Sequence, residues 1–216
     1  MLTPFTILPS VFFDRDPRRV ARALLGKLLI RKTRGGILAG RIVETEAYLG
    51  ERDAAAHTAS GKTLRNSVLF GPPGFAYVYF IYGNYYCLNV SCLPDGVPGG
   101  VLFRALEPLT GLKQMAAGRG LKAPELADLK KLSWLRKISS GPGRMCQAFG
   151  ITRARDNGKS FVSSQSDLQI VNDGYRVRRV AVGPRIGITK SAAEQLRYLI
   201  ADNPFVSVPF RPTVKA

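Results

Sequence analysis

The segment Val43-Glu44-Thr45-Glu46-Ala47-Tyr48 places two carboxylates two residues apart in otherwise apolar surroundings. Read as a strand, it turns Ile42, Glu44, Glu46 and Tyr48 to one face, with same-face neighbours roughly 6.6 Å apart along the backbone. Acids on a core-like strand are costly unless something pairs or uses them. Two readings therefore stand together: arginines neutralise both acids, or one acid is a general base. The spacing is near that of carboxylate pairs that leave room for a water, so single-displacement hydrolysis at a sugar carbon is conceivable.

A second group is aromatic. Tyr77 and Tyr79 share a strand face, Tyr82 falls at a turn, and Tyr85 and Tyr86 follow. Tyrosines pack well in strands, and on a basic surface they also stack on unpaired bases. Asn89 and Arg104 are polar residues inside apolar strand patterns, where each needs a partner. His57, the single histidine, follows Asp53 and an alanine run. Ser139-Ser140-Gly141-Pro142-Gly143-Arg144 reads as a loop-to-helix anion site, and Arg65, Arg136, Lys137, Arg144, Arg176, Arg178, Arg179 and Arg185 are candidate phosphate contacts.

These residues must be held by elements the sequence also marks. Asp16-Pro17 predicts a helix start, with a stop at Gly26. Gly35-Gly36 predicts a hairpin turn between strands 27–32 and 37–48. The run 75–82 and the run 85–91 meet across Gly83-Asn84, read as a two-residue turn with Tyr82 and Tyr85 exposed at the tip. A further strand at 101–106 is expected to end at Pro108. Residues 109–149 read as helical pieces, the last opened by Pro142 and closed by Gly150. Strand patterns return at 168–171, 176–182 and 205–208. Strands with helices inserted between them, without strict alternation, predict an α+β fold. The expectation is a single mixed domain over residues 1–216, its core about 18–208, with a curved antiparallel sheet flanked by helices and a protruding β-hairpin.

Composition narrows the partner. The chain has 32 Lys+Arg against 15 Asp+Glu, a formal charge of +17. The 22% charged fraction is ordinary, so the excess comes from missing acids and belongs to the folded body. Counterion release favours nucleic acid as partner, with an anionic membrane surface second. The longest apolar runs fall far short of the roughly 18 residues of a spanning helix, and the proline-bearing start lacks a basic leader. Three cysteines without a Cys-x-x-Cys pair, and one histidine, leave no zinc-site pattern. A reducing cytoplasm is expected, with nucleoid association in a bacterium, and no metal.

The stretches Gly40–Gly50, Ala55-Ala56-His57, Tyr77–Gly83, Leu88-Asn89-Val90-Ser91, Arg104–Pro108 and Ser140-Gly141-Pro142 together resemble the alkyladenine type of 3-methyladenine DNA glycosylase, in that family's order, from about Arg18 to about Val208. The resemblance implies an enzyme of base excision repair that flips alkylated or deaminated purines (3-methyladenine, hypoxanthine, ethenoadenine) out of duplex DNA. It would hydrolyse the N-glycosidic bond as a monomer, without cofactor, metal or lyase step. It also implies roles. Glu46 would activate the water and Arg104 would help hold it, with the Val206 carbonyl assisting. Tyr48, His57 and Tyr79 would form the base pocket. Asn89 would crowd the 2-amino group of guanine, and Tyr82 would wedge into the DNA. The competing expectation is a nucleic-acid-binding module without catalysis.

Overall fold

A computed structural model describes residues 5–122, 125 and 127–209, so Met1–Pro4 of the apolar start and residues 210–216 lie outside the described residues. In chain order the elements are β1 (Thr6–Ile7), α1 (Ser10–Phe13), α2 (Pro17–Leu24), β2 (Leu28–Thr33), β3 (Gly36–Tyr48), β4 (Ala76–Ile81), β5 (Tyr85–Ser91) and β6 (Gly100–Thr110). There follow α3 (Leu112–Gly118), α4 (Leu132–Ser139), α5 (Pro142–Ala148), α6 (Arg153–Asp156), β7 (Leu168–Asn172), β8 (Val180–Gly183) and β9 (Arg197–Ile200). The fold is α+β. One antiparallel sheet runs β1-β7-β2-β3-β6-β5-β4, and β9, carrying β8, joins it at β3.

β3 organises the sheet. One edge of this 13-residue strand pairs with β2 through Arg41 and then with β9 from Glu44 to Glu46, while its other edge pairs with β6 from Ala39 to Tyr48. The two acids therefore lie where the strand has changed partner. The β3–β6 ladder is irregular at the same place: Val43 is extra on β3 between the pairs Ile42–Leu106 and Glu44–Ala105, and Arg104 is extra on β6 before Thr45–Phe103. Adjacent bulges bend the strands and re-aim their side chains. The hydroxyl of Thr45 donates to the Ala21 carbonyl of α2 at 2.9 Å, so the face opposite Glu44 and Glu46 packs on that helix. Val20, Ala21 and Leu24 of α2 join Ile42, Val43, Ala47, Phe103 and the buried face of α5 in one apolar core.

Local signals account for much of this. Asp16 caps α2 by accepting the Arg18 N–H at 2.8 Å, Pro17 occupies the first turn, and Gly26 takes φ 83° beyond its end. Several boundaries differ from expectation. Thr33 pairs with Gly36, so the first hairpin turns on Arg34-Gly35. Ile81 pairs with Tyr85, which makes the second hairpin a three-residue loop, Tyr82-Gly83-Asn84. β6 continues past Pro108, which pairs with Gly40 beside an irregularity where proline's missing N–H is tolerated. The expected strand over 176–182 is confined to β8, and Phe205–Val208 forms no strand. The four-residue β9, buried throughout, is too short to show a period.

Candidate active site

Where β3 leaves the core, its last residue, Tyr48, borders a cavity of about 330 Å³, within the range of small-molecule pockets. Tyr48, His57, Tyr79, Asn89 and Arg104 all line it, and Tyr82 stands at its edge. The strand pairings bring β3, β6, β5 and β4 side by side, so residues up to 56 positions apart meet on one wall. His57 comes from the loop after β3. Its Nδ1 lies 2.8 Å from the Tyr77 hydroxyl, and its ring meets Tyr79 edge-on with centroids 4.4 Å apart. Partial desolvation of that ring, and then the nearby Arg65 charge, hold its pKa below the usual histidine value. Burial raises the Tyr48 and Tyr79 phenols well above 10, so both stay protonated.

Glu46 sits directly behind this lining and is fully buried. Its Oε1 accepts the Ile186 N–H at 2.8 Å and lies 3.1 Å from Arg104 Nη1, while Oε2 accepts the Tyr48 hydroxyl at 3.0 Å. Burial raises its pKa above that of an ordinary glutamate, opposed first by the Arg104 charge and then by the Ile186 and Tyr48 hydrogen bonds. Of the four acceptor directions on an ionised carboxylate, the Tyr48 bond uses one at Oε2 and leaves another.

Glu44 follows the pairing reading left open by the sequence. Arg197 Nε donates to it at 2.6 Å, Arg104 Nε is 3.4 Å away, and the Ser207 hydroxyl donates at 3.0 Å. Arg104 thus spans both acids. Asn89 is buried, with its amide donating to the Tyr77 carbonyl at 3.2 Å. Val206 is placed elsewhere: its carbonyl accepts from Arg136 at 3.4 Å and it is not among the residues lining the cavity. Its successors Ser207 and Val208 line an open recess that shares Arg104 and Tyr82 with the cavity and reaches Ser140 and Arg144.

Tyr82 is 83% exposed and holds φ 50°, a left-handed conformation that side chains other than glycine and asparagine rarely adopt. Tyr85, expected beside it at the tip, is instead half-buried against Gly143 at the start of α5, where a Cβ would come within 2.7 Å of the ring. Among the expected phosphate contacts, Arg65, Lys137, Arg144, Arg176, Arg178 and Arg179 are exposed, Arg179 being paired with Asp202. Arg185 is a correction: its side chain is fully buried and paired with Asp53, so it cannot reach phosphate in this arrangement. Sequence reasoning also missed the Ile186 N–H on Glu46. A backbone donor carries no side-chain signal, and its target is 140 positions away.

No helix among the described residues is long and apolar enough to cross a membrane. A protein-family model described as methylpurine-DNA glycosylase matches residues 11–204. A protein of Koribacter versatilis named "Putative 3-methyladenine DNA glycosylase" is 62% identical over 200 residues, covering 93% of this chain and 92% of its own. Proteins of the same name from Burkholderia lata and Methanocella arvoryzae are 45% and 44% identical, covering 95% and 88% of this chain and 93% and 89% of theirs.

Proposed function

This chain belongs to the methylpurine-DNA glycosylase family, a family of DNA repair hydrolases, and from that premise we infer that it is a monofunctional glycosylase acting as a monomer on damaged purines everted from duplex DNA. The observation that carries this reading is the carboxylate of Glu46, held by Tyr48 and Arg104 behind the wall of an aromatic cavity of about 330 Å³.

The duplex is gathered by the +17 charge, and the everted purine enters between Tyr48 and Tyr79 with His57 at its edge. Tyr82 fills the vacated place in the stack, which offsets part of the few kcal/mol that extrusion costs. Alkylation at N3 or N7 leaves the purine cationic. That favours the ring faces and makes the base a good leaving group. Glu46, ionised by its Arg104 partner despite burial, takes the proton of a water docked at the free acceptor direction of Oε2. The water oxygen attacks the anomeric carbon as the base departs with the bonding electrons. Entry of substrate has to loosen the Tyr48–Glu46 contact enough to admit that water. Hypoxanthine and ethenoadenine fit the same stacking walls, and Asn89 works against guanine by crowding its 2-amino group.

The test is base release from a panel of duplexes carrying methylated purines, hypoxanthine, ethenoadenine or no lesion, with borohydride present in a parallel set. Release from lesion duplexes without a trapped covalent adduct supports the reading. Binding without release would make the chain a binding module, and a trapped adduct would make it a lyase.

A further inference from the structure

The Asp53–Arg185 pair is fully buried and has no part in the reaction described above. Arg185 Nη2 donates to Asp53 Oδ1 at 2.9 Å and Nη1 donates to Asp53 Oδ2, while Nη1 also reaches the Ala47 carbonyl at 3.1 Å. The guanidinium carbon stands 4.6 Å from the centroid of the Tyr48 ring. Arg185 is not among the residues lining the cavity, so it covers that ring from outside. Asp53 in turn accepts the N–H groups of Leu49 and Ala55, each at 3.1 Å, and so pins the loop that carries Ala55, Ala56 and His57 into the lining. The residue after Arg185 is Ile186, whose N–H holds Glu46 at 2.8 Å.

One ion pair therefore touches the Tyr48 ring, the loop bearing His57, and the segment whose backbone N–H bonds the Glu46 carboxylate. We propose that Asp53 and Arg185 are positioning residues that set the Tyr48 ring, the His57 loop and Glu46 in mutual register, acting on lesion eversion and excision and leaving general attachment to DNA alone. The proposal rests on the glycosylase reading. Its chemistry requires arginine: a flat guanidinium bonds a carboxylate by two parallel contacts while laying its face on a ring, and an ammonium does neither. A buried ion pair is often no more stabilising than apolar packing of the same volume, so stability alone does not account for this one.

The experiment uses the full chain and a duplex in which hypoxanthine has 2-aminopurine as its neighbour, a base whose fluorescence rises when the lesion leaves the stack. Arg185→Lys keeps a charge for Asp53 and loses the flat face and the fork. We expect a cooperative melt, unchanged affinity for undamaged duplex, a weaker fluorescence rise at saturating protein, and single-turnover excision slowed by at least about tenfold, on the scale of a small misplacement of catalytic groups. The double variant Asp53→Asn/Arg185→Gln, a neutral hydrogen-bonded pair, should show the same pattern without a buried charge. Parental eversion and excision in folded variants would overturn the proposal. So would a loss of affinity shared equally by undamaged duplex, the mark of a phosphate contact, or failure of both variants to fold, the mark of a purely structural pair. A parent chain that releases no base from any lesion refutes the glycosylase reading instead.

Discussion

The phenol of Tyr48 donates to Oε2 of Glu46 at 3.0 Å, so a ring that walls the cavity and the acid behind it form one hydrogen-bonded unit. Moving the ring moves the carboxylate's hydrogen bonding, and in the proposed reaction this couples a base stacked on Tyr48 to the group that activates water. The acid is kept out of solvent, which raises its pKa, and Arg104 opposes that rise first.

Glu46→Gln retains size and burial and cannot accept a proton. Lesion affinity should remain near that of the parent while single-turnover excision of an alkylated purine falls by at least about a hundredfold, the scale of a lost general base. A rate within a few-fold of the parent would remove Glu46 from the reaction.

The pH profile has a defined sign. In the proposed reaction Glu46 acts when ionised, and its pKa is raised, so excision of a cationic purine should decline as pH drops through a midpoint above 4.5. Tyr48→Phe keeps the stacking ring and deletes a hydrogen bond that lowers this pKa. Its acidic limb should move to higher pH with a largely retained alkaline plateau, measured by single-turnover rates across the range. An unmoved limb would assign the titration to another group.

Tyr82→Ala removes the exposed ring at the hairpin tip. Affinity for a lesion in duplex DNA should fall more than affinity for the same lesion in single-stranded DNA, because only a duplex offers a stack to fill. Equal losses would exclude the wedge. Tyr82→Gly should do the same to binding while stability is unchanged or rises by up to about 1 kcal/mol, since glycine accepts the left-handed backbone without a Cβ clash. A fall in denaturation midpoint would contradict that backbone argument.

Asp167 offers an acid-stability test away from the cavity. Burial raises its pKa, but hydrogen bonds from Lys159 at 2.6 Å and Arg155 at 3.0 Å, with the Arg31 charge, outweigh it and bring the value down to about 2 from 3.8. A depressed folded-state pKa contributes stability above the unfolded value that is lost as pH falls. Asp167→Asn should therefore be less stable than the parent at neutral pH, with the gap closing between pH 3.8 and about 2 in denaturant titrations. A gap constant with pH would dissociate the pair from stability.

Short-range patterns were legible. The Asp16-Pro17 helix start, the alternating β3 and the aromatic hairpin each depend on neighbours a few positions away, and each formed nearly as expected. The turn around Gly83 was misjudged by one residue because Tyr82 accepts a backbone conformation that residue type predicts poorly. Pro108 was read as a strand end because sequence does not reveal which edge irregularity will absorb a missing N–H.

The site divides along the same line. By itself the chain determined that two acids and a tyrosine share a strand face, that a ring is offered to solvent at a tight hairpin, and that the folded body is strongly basic, since period, turn residues and charge are local or summed properties. Tertiary structure alone decided which partners each acid takes, Glu46 being held behind the cavity wall by Tyr48, Arg104 and the Ile186 N–H. Glu44 is claimed by Arg197, 153 positions away, and Arg185 is drawn inside by Asp53, 132 positions away. Burial and partnership for charged groups are settled by which strands become neighbours, and that outcome belongs to the whole sheet.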